Sequence, residues 1–500
     1  MNLVELATQS LEKFGEVCTD VFNDQEYTNL QMIKSANELA NGLIKSGIKP
    51  GDKVIVMLMN TPEVLISYQG ILRAGAIIIP VIYNLNPNEI CNIINNSKAA
   101  AVITSKSLLY IINGIRDKIK TLDKIIILED KEVPGTITYR KLISGCSDNI
   151  PDVDIDDESI AALIYTSGTS GSPKGVILTH KNLCCAAKAS MVTKDHTIDN
   201  CVELVCVPLC GFFGIGGLNN GFLYPSKRIS MSFFDLEMAC KLIEKYKVTT
   251  LTVTPAIISH IVEHFDVVNK YDISSLGICL SGGAPLPVEL QSTFESRFGC
   301  NIYEGYGLTE SSGLIAFETI GKERKSGSVG QIVPGIEVKI VDNDNNEVPD
   351  NESGQLIVRG PTISPGYYKM PEYSENIFRN GWLYTGDIVK LDEDGFLYIV
   401  DRQKDLIITN GFNVVPRDVE EILYKNPHIR EVAVVGVPDE HSGERIKAYI
   451  VLDNNADIND TDVKNHCRKY LAEYKCPKSI EFIDFLPRNP SGKILRNKLR

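Results

Sequence analysis

Residues 29–47, NLQMIKSANELANGLIKSG, set apolar side chains at Met32, Ile33, Ala36, Leu39, Ala40, Leu43 and Ile44. That spacing predicts a helix with one buried face, closed by Gly47. DKVIVML (52–58) reads as a strand, TPEVLISYQGILRAG as a helix, and AIIIPVI as a buried strand. NPNEICNIINNS is helical again and AAAVITS is a strand. Strands and helices in alternation predict a mostly parallel sheet covered by helices, and the pattern resumes around 160–310.

The texture changes near residue 325. GSVGQIVPGIEVKIVDNDNNEVPDNESGQLIVRG holds short β-rich runs broken by Asn, Asp, Gly and Pro, the mark of antiparallel hairpins. A third pattern starts at 404, with helices expected in VPRDVEEILYKNP and DVKNHCRKYLAEY around two strands near 429–437 and in RIKAYIVLD. The expected fold is α/β. A large N-terminal domain (1–403) carries doubly wound αβ subdomains and a β-rich, distorted-barrel part at about 325–400. A small mobile α+β domain (404–500) follows. A chain of 500 residues needs at least two such units, since single cores stop growing near roughly 250–300 residues.

Composition narrows the chemistry. With 43% apolar and 23% charged residues the chain is ordinary for a globular protein. The net charge of −13 disfavours nucleic acid or an anionic membrane as the main partner. The longest apolar run, AGAIIIPVIY, is too short to span a bilayer. The opening MNLVELATQSLEKFGE has no basic-then-apolar signal, and the closing NKLR is no lipidation or peroxisomal signal. Thirteen scattered cysteines without a C-x-x-C pattern suggest a reduced, cytoplasmic protein.

YTSGTSGSPKGV (165–176) follows the strand-like SIAALIY. It nearly imitates the Walker phosphate loop. Pro173 replaces the second glycine, however, and Gly175 follows Lys174 where that loop needs Ser or Thr. The chain then continues as another β-like run, GVILT, and the helix starts later, with Thr179 as its N-cap. The chemistry still suits phosphate. Gly168 and Gly171 let backbone N–H groups approach an anion. Thr166, Ser167, Thr169, Ser170 and Ser172 add hydroxyl donors, and Lys174 adds charge.

This stretch resembles the signature of the adenylate-forming ligases: acyl-CoA synthetases, peptide-synthetase adenylation domains and firefly luciferase. Further motifs follow in that family's order through residue 496. SGGAPLP (281–287) is similar to the adenine-side loop, which would put Gly283, Ala284 and Pro285 beside the nucleotide and Gly282 beside the acyl group. YEGYGLTE (303–310) supplies Glu304, Gly305, Tyr306 and Gly307 around adenine. In it, Thr309 would face the α-phosphate and Glu310 would hold Mg2+. In GWLYTGD, Asp387 would accept the ribose hydroxyls, with Ile399 and Arg402 close by. The resemblance makes Lys404 the pivot between domains and puts Gly411, Phe412 and Asn413 at the coenzyme A tunnel, although 401–405 alone also reads as a charged linker. In NPSGKILR, Lys493 matches the family's catalytic lysine.

The sequence also departs from the family. In VPLCGFFG the aromatic or histidine that usually gates the acyl pocket is Gly211, which removes that gate and opens the cavity. Gly211, Phe212, Phe213, Val253 and Gly282 are the expected acyl-pocket residues. No aspartate stands between 207 and 220 to hold an ammonium, so a plain acid is favoured over an amino acid. Ile408 and Asn413 replace lysine and glutamine of some aryl-CoA ligases. HIVEH (260–264) fits a zinc-peptidase pattern, but nothing else in the sequence suggests a third ligand and zinc is not expected there.

The resemblance implies two half-reactions. A carboxylic acid, a fatty acid foremost, attacks the α-phosphorus of Mg·ATP; coenzyme A then takes the acyl group from the adenylate. Catalytic duty falls to Lys493, Thr309 and Glu310. Alternatives left open are an acyl carrier protein as acceptor or an aryl acid as substrate, in a monomer or homodimer.

Overall fold

The computed structural model describes residues 1–166, 174–193, 201–409, 412–439, 443–453, 456, 458–490 and 492–500, with residues 213, 218, 404 and 413 described by their backbone alone. The predicted elements are present: the helix Asn29–Lys45, the strand Lys53–Met57, the helix Pro62–Arg73, the strand Ile77–Pro80, the helix Pro87–Ser97 and the strand Ala101–Thr104. They build a seven-stranded sheet whose order along the chain's strands is out of sequence, with Lys53–Met57 between Ala101–Thr104 and Ile77–Pro80. All its neighbours are parallel except one pair at the edge, Ile160–Thr166 with Lys174–Thr179. Val54, Ile55, Val56 and Met57 are all fully buried, as expected of a strand covered on both faces.

A second sheet has nine strands. Its centre is parallel and runs Cys18–Phe22, Lys227–Ser230, Val202–Val205, Thr250–Val253, Ile278–Gly282, Asn301–Leu308. Antiparallel strands close both edges, Gln25–Thr28 on one side and Gly313–Phe317 followed by Gln331–Ile332 on the other. The register sets Val253 beside Ser281 and Ser281 beside Glu304, so these strands end level with one another. In open parallel sheets that carboxyl end is where ligands bind.

The β-rich part is an antiparallel five-stranded sheet containing Glu337–Val341, Ser353–Arg359, Trp382–Leu391 and Leu397–Arg402. It shares one apolar core with the end of the nine-stranded sheet, through Ile315, Phe317, Leu356 and Leu397. From residue 407 on, a separate core forms around Ile407, Val419, Val434 and Ile450. There the helix Pro416–Tyr424 packs on a sheet containing Ile429–Asp439 and Gly443–Leu452. All thirteen cysteines are free. Among the described residues no helix is long and apolar enough to cross a membrane.

Two features hold the end of Asn301–Leu308. Gly307 lies so close to the next strand that a Cβ there would sit 2.0 Å from the carbonyl oxygen of Gly313. Glu304 is buried one turn of the pleat away. Its backbone N–H donates to Glu318 Oε2 at 2.8 Å, and Glu318 returns its own N–H to the Glu304 carbonyl at 3.1 Å. Burial pushes the Glu304 carboxyl up to about 8; Arg417 opposes this and Glu318 adds to it. Burial likewise raises Glu318 to about 7.

Two outcomes are expected. Gly307→Ala forces backbone apart and lowers stability by about 3 kcal/mol, read by urea unfolding. The folded chain favours protonated Glu304, so this group's contribution to stability declines as pH rises from about 4.5 through about 8. Glu304→Gln mimics the protonated form, and melting curves should show its Tm advantage over the wild type growing from pH 5 to pH 8.5.

Candidate active site

The carboxyl ends of the parallel strands converge with the β-rich sheet at Asp387. This carboxylate is 2% exposed. Its Oδ2 accepts from the Tyr306 hydroxyl at 2.6 Å and its Oδ1 pairs with Arg402 Nε at 2.9 Å. A hydrogen bond to a buried charge contributes about 1.5–3 kcal/mol. Burial, and then the Asp387 charge, hold the Tyr306 phenol neutral well above its ordinary range. Each carboxylate oxygen keeps a second lone pair for a ligand hydroxyl. The Ile399 carbonyl accepts from Arg417 Nη1 at 2.9 Å, which ties the strand before Arg402 to the helix Pro416–Tyr424.

Glu310 follows the same strand. Ser311 shapes its turn: the Ser311 hydroxyl accepts from the Leu308 N–H at 3.1 Å and lies 2.7 Å from the Gly313 carbonyl. Glu310 Oε1 accepts from the Tyr367 hydroxyl at 2.8 Å, leaving its second oxygen for another donor or a cation. Tyr367 belongs to a strap, residues 361–368, that ties separate sheets together. The Ser364 N–H donates to the Glu310 carbonyl at 2.9 Å, the Tyr368 N–H to Gly175 at 2.7 Å, and Asn182 Nδ2 to the carbonyls of Pro361 and Ile363 at 2.8 and 3.0 Å.

The helix Pro371–Ile377, just after the strap, brings an aromatic ring to Lys174. Lys174 is 6% exposed, and its Nζ lies 3.5 Å from the centre of the Tyr373 ring. Tyr373 meets Tyr367 edge to face at 5.0 Å. A desolvated ammonium over such a ring gains about 2 kcal/mol. The lysine read in sequence as a phosphate ligand is therefore engaged by an aromatic face in this structure. Thr166 pairs with Lys174 in the edge hairpin, and Thr179 caps the following helix through the Asn182 N–H as expected. Ser167, Gly168, Thr169, Ser170 and Gly171 lie outside the described residues, as does Gly411.

Lys493 is carried on a tight hairpin. Its N–H donates to Asn489 Oδ1 at 2.8 Å and its carbonyl accepts from the Asn489 N–H at 2.8 Å. Gly492, at φ +87°, needs the left-handed backbone that glycine supplies. A Cβ on Gly492 would lie 3.4 Å from Thr254 Oγ1 and 3.7 Å from Ala256 Cβ. Thr254 follows the strand Thr250–Val253, so the hairpin abuts the same strand ends as Gly283 and Tyr306. Three residues on, both Arg496 Nη2 contacts to Glu420 are 2.7 Å and Arg496 Nη1 reaches Asp401 Oδ1 at 3.2 Å.

The expected acyl residues are partly gathered here. Gly211 caps the helix Phe212–Leu223, and a Cβ on it would meet Ile82 at an ordinary 3.5 Å. The Phe212 ring faces Gly313, where a Cβ would be 3.6 Å away. Val253 is fully buried in the core beneath the sheet, beside Ile258 and Cys279, and contributes packing in this state. Phe412 is 53% exposed and stacks on Tyr474 at 4.7 Å, on the surface of the small unit. Sequence reasoning missed Tyr367, Tyr373, Arg417, Arg496 and Glu318. The aromatic run GYYKMPEY was the available signal for the first two.

Comparison with known proteins accords with this geometry. The family model for AMP-binding enzymes matches residues 9–368, and that for the AMP-binding enzyme C-terminal domain matches 418–493. A long-chain-fatty-acid–CoA ligase of Bacillus subtilis (strain 168) is 34% identical over 533 aligned positions, covering 99% of this chain and 94% of the relative. A 4-coumarate–CoA ligase of Nicotiana tabacum is 35% identical, covering 96% of this chain and 90% of the relative. The crystal structure of an anthranilate CoA ligase in complex with anthranoyl-AMP superposes with a TM-score of 0.93 at 28% identity, over 100% of this chain and 96% of that one. With both of its family models matched in order along the chain, the protein belongs to the AMP-binding, adenylate-forming enzymes.

Proposed function

We propose that the chain is an AMP-forming acyl-CoA synthetase that activates an apolar carboxylic acid, a fatty acid foremost, and passes its acyl group to coenzyme A. The class is supported by relatives at 31–35% identity over nearly the whole chain. The observation that supports the reading is the contact of Gly492 with Thr254, which puts the turn before Lys493 at the end of the strand Thr250–Val253. The apolar acid is supported by the helix Phe212–Leu223, FFGIGGLNNGFL, which carries no charged side chain, and by the space at Gly211. Free thiols throughout support a reducing compartment, the cytoplasm.

In the first step a carboxylate oxygen attacks the α-phosphorus of ATP, and the bond to pyrophosphate breaks. The carboxylate is already a nucleophile, so the protein's work is positioning and charge stabilisation. Thr166 and the loop through Ser172 would cradle the β- and γ-phosphates, with Lys174 at their base. Gly283, Ala284 and Pro285 would face Gly305, Tyr306 and Gly307 across adenine, and Glu304 would hold that strand end. Asp387 would accept ribose hydroxyls on its remaining lone pairs, with Arg402 alongside. Thr309 would donate to the α-phosphate, and the Lys493 ammonium would offset charge as the pentavalent centre forms. Glu310, with one carboxylate oxygen uncommitted to Tyr367, fits a hard cation such as Mg2+. When bound, that ion neutralises phosphate charge.

In the second step the thiol sulfur attacks the acyl carbon and the bond to AMP breaks. The boundary at residues 403–404 would serve as the hinge, with Lys404 as pivot. The turn would withdraw Lys493 and bring the strand at Gly411, Phe412 and Asn413 to the tunnel. Phe412, exposed beside Tyr474 in the present orientation, would then face the site.

Lys493→Ala should slow acid-dependent pyrophosphate release by about 10²–10³-fold while largely sparing thioester formation from supplied acyl-AMP. Equal loss of both half-reactions contradicts the two-orientation reading. A panel of acids, assayed for pyrophosphate release and for CoA-thioester product, should favour medium or long aliphatic acids. Release without any CoA thioester, reversed by a carrier protein, moves the acceptor from coenzyme A to that carrier.

A further inference from the structure

The helix Pro255–Glu263 meets the small unit at both ends, and its last turn carries side chains that the proposed reaction does not use. His260, Glu263 and His264 follow at i, i+3 and i+4, and one ligand atom from each lies within 4.8 Å of the other two. Among the described residues this is the one such group of His, Cys, Asp and Glu. Sequence alone offered two histidines on a helix face; the structure adds the carboxylate of Glu263 as the third donor.

The surroundings prepare these donors for a metal. His264 Nδ1 lies 2.9 Å from the carbonyl oxygen of His260. A carbonyl can only accept, so Nδ1 carries the proton and Nε2 keeps its lone pair, which is how second partners orient ligating histidines. The two rings stand 4.2 Å apart at 44°. The Ser259 hydroxyl donates to Glu263 Oε1 at 2.9 Å, orienting that carboxylate and leaving its other oxygen. The cluster also sits at the carbonyl end of the helix, where positive charge is favoured.

Two cations already approach this end. Arg297 Nη1 donates to the Val262 carbonyl at 2.9 Å. Arg430 Nε, from the strand Ile429–Asp439 of the small unit, is 3.9 Å from Glu263 Oε1. An ion on the other oxygen of Glu263 would set a second positive charge against this contact, which joins the two parts of the molecule.

We propose that His260, Glu263 and His264 form a three-ligand site for a divalent transition-metal ion of the zinc class, and that filling it draws Glu263 away from Arg430. Two imidazoles and a carboxylate suit Zn2+, with a fourth position left to water. The effect on the small unit rests on the two-orientation reading above; metal binding itself does not, and the test uses no substrate. Zn2+ is titrated into the full chain by calorimetry, against a competing chelator that masks weak thiol binding. The expected result is one site per chain whose affinity falls about 10- to 100-fold in His260→Ala, in His264→Ala and in Glu263→Gln. Each variant's circular dichroism without zinc checks its fold, and Glu263→Gln serves if a histidine variant misfolds. Arg430→Ala, which removes the competitor, should tighten Zn2+ roughly two- to fivefold. Equal affinity in the wild type and all three ligand variants puts the ion elsewhere and overturns the site. An Arg430→Ala chain that binds Zn2+ no more tightly overturns the competition for Glu263.

Discussion

The buried Asp387 carboxylate is the interaction on which the architecture of the site turns. It takes Tyr306 from the nine-stranded sheet on one oxygen and Arg402, the last residue of the strand Leu397–Arg402, on the other. A carboxylate that is 2% exposed is tolerable only when its charge is met, and here one partner comes from the paired strand and the other from a distant part of the chain. The nine-stranded sheet and the β-rich sheet therefore share one electrostatic solution. The strap at 361–368 repeats the logic with neutral groups, joining the phosphate-loop hairpin to the Glu310 turn through backbone hydrogen bonds.

Much of this was legible in the sequence, for definite reasons. Strands such as Lys53–Met57 and Ile77–Pro80 announce themselves because burial on both faces demands unbroken apolar runs. Thr179 before an apolar helix is a local signal, and the local bond it implies is there. The motifs around Tyr306, Glu310 and Asp387 stood out through their resemblance to the family, and the structure brings Tyr306 and Asp387 into contact.

What stayed hidden depends on partners distant in sequence. Lys174 and Tyr373 are about two hundred positions apart, and no periodicity links them. Glu304 reads as a polar residue in a loop motif, yet the fold buries it against Glu318 and near Arg417 and raises its carboxyl to about 8. Val253 was expected to line a pocket because it ends a strand beside the site, but alternation along that strand turns its side chain into the core. The HIVEH stretch shows the opposite limit. The spacing was plain, while the proton on His264 and the approach of Arg430 required coordinates.

The bidentate grip of Arg496 on Glu420 binds the tail hairpin to the helix Pro416–Tyr424, and its reach to Asp401 crosses to the far side of the joint. The hairpin that carries Lys493 is thereby fastened to that helix, and the Arg496–Asp401 pair is, with Arg430 on Glu263, one of the ionic contacts that span the two parts of the molecule. Under the two-orientation reading proposed above, Asp401 bears on the joint between the parts, whereas Gly211 and Phe212 belong to the expected acyl pocket.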